Sequence, residues 1–474
     1  MLNYYIKRSL MAGMILLAFA CHKDNQKFDY QEINNVTVET DVTSYTLFAG
    51  DSLIVIPKLK ESMPTGEEFT YAWTASIANS SNASQTQLSA SKDLRVKLEL
   101  VPATYNLNFK VTSKKTGITS MSRVTLTVQA AFYSGWYVAN NRAGKASMSF
   151  IRADDKIYEN PAEEVNKKTY TGKALSVFPS TSIGVIYFFT AQNAYRFNIN
   201  DLLELTDRTG TLPLAPVPYT GAPVFSTSHS SLVTDQYIVA DGALYAGLGP
   251  TFYAAEVLKP FSDRLTGDYN MFPGVFPAAQ TTTMFYDNKY KRFMQLPYLD
   301  RDLTVLPQTA GNFNLANVGR TMIAYDSGVA GNNNEFYYVM EAAGIRSLIS
   351  TVGIAPGISQ AINNSPEINE AKHFATSSIF KQMYYAATNK IYKYDILANS
   401  STLVYTFPAG YVVKDLELQR APAASNSRIL AVGTNKGDVG EVYLFDISDS
   451  GDFVNQTYTK KYEGFGEIIC IKRR

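Results

Sequence analysis

The sequence predicts an all-β chain, a short secretory leader followed by a small two-sheet sandwich and then a β-propeller of about seven blades. Three observations predict it. Short segments alternate apolar and polar residues with a period of two, no helical period intervenes, and an aromatic strand motif recurs at a spacing of about 48 residues. Composition agrees: 32 Tyr and 26 Phe with only 18% charged residues suit pleated strands with buried faces. At 474 residues the chain exceeds one ordinary core, so two or three domains are expected.

The leader comes first. Residues 1–20 hold Lys7 and Arg8, no acidic side chain, and the apolar run Leu10–Ala20. A basic start, an apolar stretch and a small residue at the junction are the layout of a secretory signal. The run is shorter than the roughly 20 residues that span a bilayer. Leu17-Ala-Phe-Ala-Cys21 resembles a bacterial lipobox, although Phe19 holds a place where smaller residues are usual. That resemblance implies cleavage before Cys21 and diacylglycerol on its thiol, with residues 21–30 as a polar tether. Lys23 and Asp24 in the tether resemble the charged export signals of surface lipoproteins in Bacteroides-like bacteria.

Residues 31–130 read as the sandwich. Phe69–Thr74, Leu94–Leu100, Tyr105–Val111 and Arg123–Val128 each alternate, with turn signals at Pro102 and Gly117 between them. Several short strands in about 100 residues make two packed sheets. Tyr71-Ala-Trp73, followed by Ala103-Thr-Tyr-Asn-Leu-Asn-Phe-Lys-Val-Thr112, resembles the polycystic-kidney-disease (PKD) type of immunoglobulin-like domain. The nearest variant is that of the PKD-like family lipoproteins of Bacteroides-like bacteria. The Gly-Asp-Gly usual after the tryptophan strand is absent here, so the resemblance carries the fold and no binding residue. Trp73 is expected in the core.

Residues 131–474 carry the repeat. Anchored on Phe150, Phe197, Tyr245, Phe293, Tyr338, Tyr392 and Tyr443, its steps are 47, 48, 48, 45, 54 and 51 residues. Four-stranded sheets of that length, packed radially, bury both faces. Seven blades follow, with six or eight also fitting if one unit is misread. Ile186–Asn198 and Met383–Asp395 read as aromatic hairpins within blades, and Gly466–Ile471 as a last strand able to close the ring beside the first.

Chemistry is sparse. His22, His229 and His373 show no ligand spacing, so no metal is expected; no GxSxG elbow, Walker loop or dinucleotide fingerprint is present, so no cofactor is expected either. No catalytic residue is assigned. Asp154, Asp155, Glu163, Glu164 and Asp241 are candidate carboxylates for a propeller glycosidase, which needs an acid and a base flanking the bond. Asp395, Asp446 and Asn198 end equivalent strands, and repetition favours turn capping. Trp136 could stack on a sugar, with blade packing the favoured reading, and Asn332–Asn334 and Asn363–Asn364 could hydrogen-bond a polar ligand. Cys470 lies in an apolar run and reads as a buried small hydrophobe. Formal charge is +1, or −1 once residues 1–20 are removed, and that near-neutrality argues against a nucleic-acid binder, which would need a clustered basic face.

The family resemblance implies a component of an outer-membrane nutrient-uptake system, beside a TonB-dependent transporter and its lipoprotein partner. The expected function is a lipid-anchored, non-catalytic protein of the outer membrane, facing the cell surface, that binds a glycan, peptide or partner protein on its propeller face. The alternative is a glycoside hydrolase or lyase with carboxylates in the central channel.

Overall fold

The structure is a computed structural model, and it describes residues 32–63, 66–80, 84–205, 218–228, 235–247, 261, 264–279, 281–298, 300–328, 335–420 and 425–474. The chain divides into two compact units, the second running Ala130–Arg474.

In the first unit, strands Ser44–Phe48, Thr119–Gln129, Ala103–Ser113, Phe69–Ile77 and Thr86–Ser89 form a five-stranded sheet in that order. Two short pairs accompany it, Val36–Glu39 with Lys58–Glu61 and Ser52–Val55 with Leu94–Lys97. Ser44–Phe48 runs parallel to Thr119–Gln129, and the other pairings are antiparallel. Alternation explains the faces. Tyr105, Leu107, Phe109 and Val111 point into a core centred on Trp73, which is fully buried and stacks on Phe109 at 4.3 Å between centroids. The indole N–H donates to the Lys92 carbonyl at 3.0 Å, so its one polar atom is satisfied. Tyr105 donates its hydroxyl to the Val101 carbonyl four residues upstream, at 2.8 Å, a corner bond typical of immunoglobulin-like sandwiches.

The second unit is a seven-bladed propeller. From the inside outward, blades 2 to 7 begin with Ala174–Ser180, Val224–Thr227, Phe276–Ala279, Thr321–Ser327, His373–Thr376 and Val412–Leu418. Each inner strand pairs with the next strand in sequence, so every blade is a meander. Blade 1 differs. Its inner strand is the C-terminal Glu467–Arg473, paired antiparallel with Gly135–Arg142, so the two ends of the unit share one sheet.

Seven apolar clusters lie one between each pair of neighbouring blades, including one that joins blade 7 to blade 1 through Val442, Leu444, Ile468, Ile471, Trp136 and Ile151. This explains the aromatic runs. On a strand buried on both sides, adjacent residues face opposite blades: Tyr337 enters the cluster shared with blade 6 while Tyr338 enters the one shared with blade 4. Tyr384 and Tyr385 divide in the same way between blades 7 and 5. The hairpin turn Asp241-Gly242 has φ of 48° and 77°, the double left-handed conformation that matches strand twist in two-residue loops.

The repeat anchors fall on the third strand of their blades with one exception. Tyr338 lies on the second strand of blade 5, opposite Ile349 of the third. The third strand of that blade, Ile345–Val352, is aliphatic, so the aromatic signal slipped one strand.

Candidate functional site: the lining of the propeller channel

Inner strands set what faces the channel, and a β-bulge decides it in blade 7. Val412–Leu418 shifts register between Val413 and Asp415 against its neighbour. One extra residue breaks the alternation. Val413, Leu416 and Leu418 therefore pack into the core with blade 6, while Lys414, Asp415 and Glu417 keep accessible surface toward the channel. The closing strand does the same: Ile468 and Ile471 are buried three residues apart, across a shift at Ala139/Asn140, and Lys472 emerges beside blade 7.

The lining is a bonded charge cluster. Lys472 Nζ lies 2.6 Å from Glu417 Oε2, and the two side chains keep 30% and 23% of their surface although both lie deep in the protein. Asp415 accepts the Ile471 N–H at 2.8 Å and the Leu416 N–H at 2.9 Å. Asp326 of blade 5 accepts the Thr376 N–H of blade 6 at 2.7 Å and the guanidinium of Arg420, just after the inner strand of blade 7, at 2.8 Å. Three blades are thus tied through one carboxylate.

Burial pushes the Asp415 and Glu417 carboxyls above their ordinary range, against the opposing pull of Lys472. For Lys472 burial acts downward, but Glu417 and Asp415 outweigh it and hold the ammonium charged. Burial, with Lys414, Lys372 and Lys472 nearby, drops His373 to about 4, so its imidazole is neutral at pH 7. Cys470 is pushed up to about 12 by burial and by Asp415, which makes it an inert thiol; it packs against the core between blades 1 and 2.

At the C-terminal ends of the inner strands of blades 5 to 7 lies a cavity of about 270 Å³, lined by Ser327, Gly328, Glu335, Phe336, Ser378, Arg420 and Asn426. Its charges are paired: Arg420 with Asp326, and Glu335 with Lys381 at 2.8 Å and the Tyr337 hydroxyl at 2.9 Å. What it presents is hydroxyl, amide and paired charge. Among the described residues no group of three or more His, Cys, Asp or Glu side chains is placed to hold a metal ion.

The residues singled out from sequence lie elsewhere, His373 and Cys470 excepted. Asp154 is held by Arg152, and Asp155 by Lys460 and Tyr462. Glu163 and Glu164 sit in the first turn of the short helix Pro161–Asn166, and Asp241 accepts the Thr220 and Gly221 N–H groups. None joins the channel cluster. Trp136 is 4% exposed, under the Arg473 guanidinium at 5.3 Å, and packs between blades 1 and 7. Asp395 caps the N–H groups of Leu397 and Ala398, and Asn198 that of Asn200, as their repetition suggested. Asp446 holds the equivalent place without such a bond. Asn363 and Asn364 form a turn, with Asn364 at φ 45° and the Asn363 N–H bonded to Asn399. Cys21, His22, His229 and Asn332–Asn334 lie outside the described residues. Among the described residues no helix is long and apolar enough to cross a membrane.

Sequence reading missed Asp326, Asp415, Glu417, Arg420 and Lys472. A usable signal existed: Lys414-Asp415-Leu416-Glu417 precedes an aromatic hairpin, the place an inner strand must occupy, and charge there has only the channel to face.

Comparison with known proteins adds the following. No curated protein sequence matches the chain. Among solved structures, similarity extends to a quinonprotein alcohol dehydrogenase-like protein from Bacteroides thetaiotaomicron, at 13% identity over 93% of this chain and 99% of that one, with a TM-score of 0.47. An extracellular domain described as that of a one component system from B. thetaiotaomicron is 10% identical over 90% of this chain and 67% of its own, with a TM-score of 0.38. The model of the PKD-like family matches residues 21–179. That segment, which contains the whole described sandwich and the start of the propeller, is PKD-like.

Proposed function

We propose that the protein is a lipid-anchored, non-catalytic lipoprotein of the outer membrane, displayed at the cell surface, that binds a glycan, peptide or partner protein on its propeller face. In this reading it serves a nutrient-uptake system, beside a TonB-dependent transporter and its lipoprotein partner. One observation carries the non-catalytic part: the channel carboxylates Asp326, Asp415 and Glu417 are all committed to backbone N–H groups or to Arg420 and Lys472. A general acid or base must be free to exchange its proton with substrate. The cavity at the ends of blades 5 to 7, with its charges already paired, suits an uncharged ligand rich in hydroxyls or amides.

A second reading has a specific observation behind it. Asp415 and Glu417 are two apart on one strand and so lie on the same face of it, and a pair of neighbouring carboxyls is what a glycosidase uses. Their raised proton affinity is what a general acid needs. Passing purified residues 22–474 over immobilised polysaccharides and a peptide array separates the two. Retention without product supports the binder, release of product supports the hydrolase, and absence of retention on any glycan, peptide or neighbouring lipoprotein overturns the binding reading.

A further inference from the structure

Around the cavity at the ends of blades 5 to 7, the acceptors are largely taken. Glu335 receives Lys381 Nζ on both carboxylate oxygens, at 2.8 and 2.9 Å, and the Tyr337 hydroxyl at 2.9 Å. Oδ1 of Asn426 receives the Ser378 hydroxyl at 2.5 Å. That length fits O–H···O and is too short for N–H···O, so the amide turns its oxygen toward Ser378. The Ser327 carbonyl meets Arg420 Nη2 at 3.4 Å.

Donors are left over. Nδ2 of Asn426 makes no hydrogen bond among the described residues, since the amide bonds Ser378 and Ser427 through its oxygen. Arg420 spends Nη2 on Asp326 at 2.8 Å and leaves Nη1 buried without a partner. A buried donor with its bond unmade is costly, so an acceptor that enters beside this guanidinium is favoured. The Ser327 hydroxyl can donate or accept. The Asn426 amide is held from two blades. Ser427 is 1% exposed and takes a φ of 53°, a left-handed conformation uncommon for serine. Its hydroxyl accepts the Ser378 N–H at 2.9 Å, a bond from blade 7 to blade 6 that fixes Asn426 beside Ser378. Backbone held in this way is a feature of ligand clamps.

We propose that this cavity takes the acetamido group of an N-acetylated amino sugar. Asn426 and Arg420 supply N–H donors for its carbonyl oxygen, Ser327 an acceptor for its N–H, and Phe336 an apolar wall for its methyl. A carboxylate would also suit the donors, but Arg420 and Lys381 are already neutralised by Asp326 and Glu335, so an added negative charge finds no free cation. A plain hydroxyl is donor as much as acceptor, and few acceptors remain for its proton. At about 270 Å³ the cavity lies below the about 300–1,000 Å³ of pockets that enclose a drug-sized ligand, so it admits one projecting group. Extended peptides lie along grooves and sheet edges instead, which sets a sugar substituent ahead of a peptide main chain. The assignment rests on the ligand-binding reading above and names the chemistry of that ligand.

The test passes the purified chain over one polymer matrix carrying N-acetylglucosamine, N-acetylgalactosamine, glucose or galactose. Each acetylated sugar differs from its plain counterpart only in bearing acetamido in place of a hydroxyl. At least one acetylated sugar is expected to bind at least tenfold more tightly than its counterpart. Asn426→Asp keeps the oxygen that receives Ser378 and turns the free donor into an acceptor, so it should remove that preference and leave the plain sugars unaffected. Equal retention of acetylated and plain sugars, retention on a peptide array alone, or a preference that survives Asn426→Asp overturns the proposal. The comparison of sugars needs only the unaltered protein, and so stands even if the variant misfolds. Retention on plain sugars or peptides without a preference for acetamido strikes this assignment and leaves the binding reading standing. No retention on any glycan, peptide or neighbouring lipoprotein sinks both.

Discussion

Lys472 faces two carboxylates whose affinity for protons burial has raised, and its ammonium pulls against that rise. Lys472→Met leaves Glu417 without its partner in an enclosed space. Removing one member of a fully buried pair costs about 3–5 kcal/mol, but the channel leaves part of this pair hydrated, so about 1–3 kcal/mol is expected. A fall in the denaturant midpoint at constant slope measures it, and Glu417→Gln in the Lys472→Met background should recover part of the loss. His373 gives a pH signature. Its folded value of about 4 lies below the ordinary 6.5, so the unfolded chain takes up the proton first as pH falls. Its contribution is present above the ordinary value and lost as pH falls toward 4, by about 3 kcal/mol at most. Asp415 and Glu417 bend the profile the other way, since raised carboxyls favour the folded state in acid. The difference between the unaltered protein and His373→Gln isolates the imidazole: the variant should lose less stability between pH 6.5 and 4, and equal slopes would refute the assignment.

The closing strand decides whether the second unit is a ring or an open stack of sheets. Without residues 467–474, Gly135–Arg142 loses its inner partner, Ile468 and Ile471 leave the core between blades 7 and 1, and the bonds of Lys472, Arg473 and Arg474 to blades 7, 1 and 2 disappear. The chain holds two tryptophans, Trp73 in the sandwich core and Trp136 between blades 1 and 7, so each reports on one unit. Truncation at Gly466 should abolish the cooperative transition of Trp136 fluorescence in a Trp73→Phe background. In a Trp136→Phe background it should leave the Trp73 transition in place, because the sandwich has its own core. Loss of both transitions would mean the units do not fold separately. The third strands of six blades were legible in the sequence because burial on both faces demands aromatic and aliphatic runs there. Inner strands were not: five of the seven carry a bulge in their first ladder, which breaks the period-two signal, and the polar residues on their channel side resemble a surface. The carboxylates of the site sit on just those strands. Sequence attention went instead to Asp154, Asp155 and Asp241, which lie at turns where acidic residues stand out but are held there, the first by Arg152, the second by Lys460 and Tyr462, the third by backbone N–H groups.

At the scale of the whole molecule the question is what Cys21 holds. Residues 1–31 lie outside the described residues, so the reading of the leader rests on its sequence. An apolar run that ends at a small residue and a cysteine is the layout of export and anchoring. A single acyl chain binds a membrane marginally and two or more bind it firmly, each buried methylene adding about 0.8 kcal/mol. Anchoring through Cys21 therefore predicts all-or-none behaviour. The unaltered protein should stay with membranes through high-salt washing and leave them only with detergent. Cys21→Ala should appear in the soluble fraction. Retention of Cys21→Ala on membranes after a salt wash would show that a protein contact, rather than lipid, holds the chain, and would remove the basis for reading it as a lipoprotein.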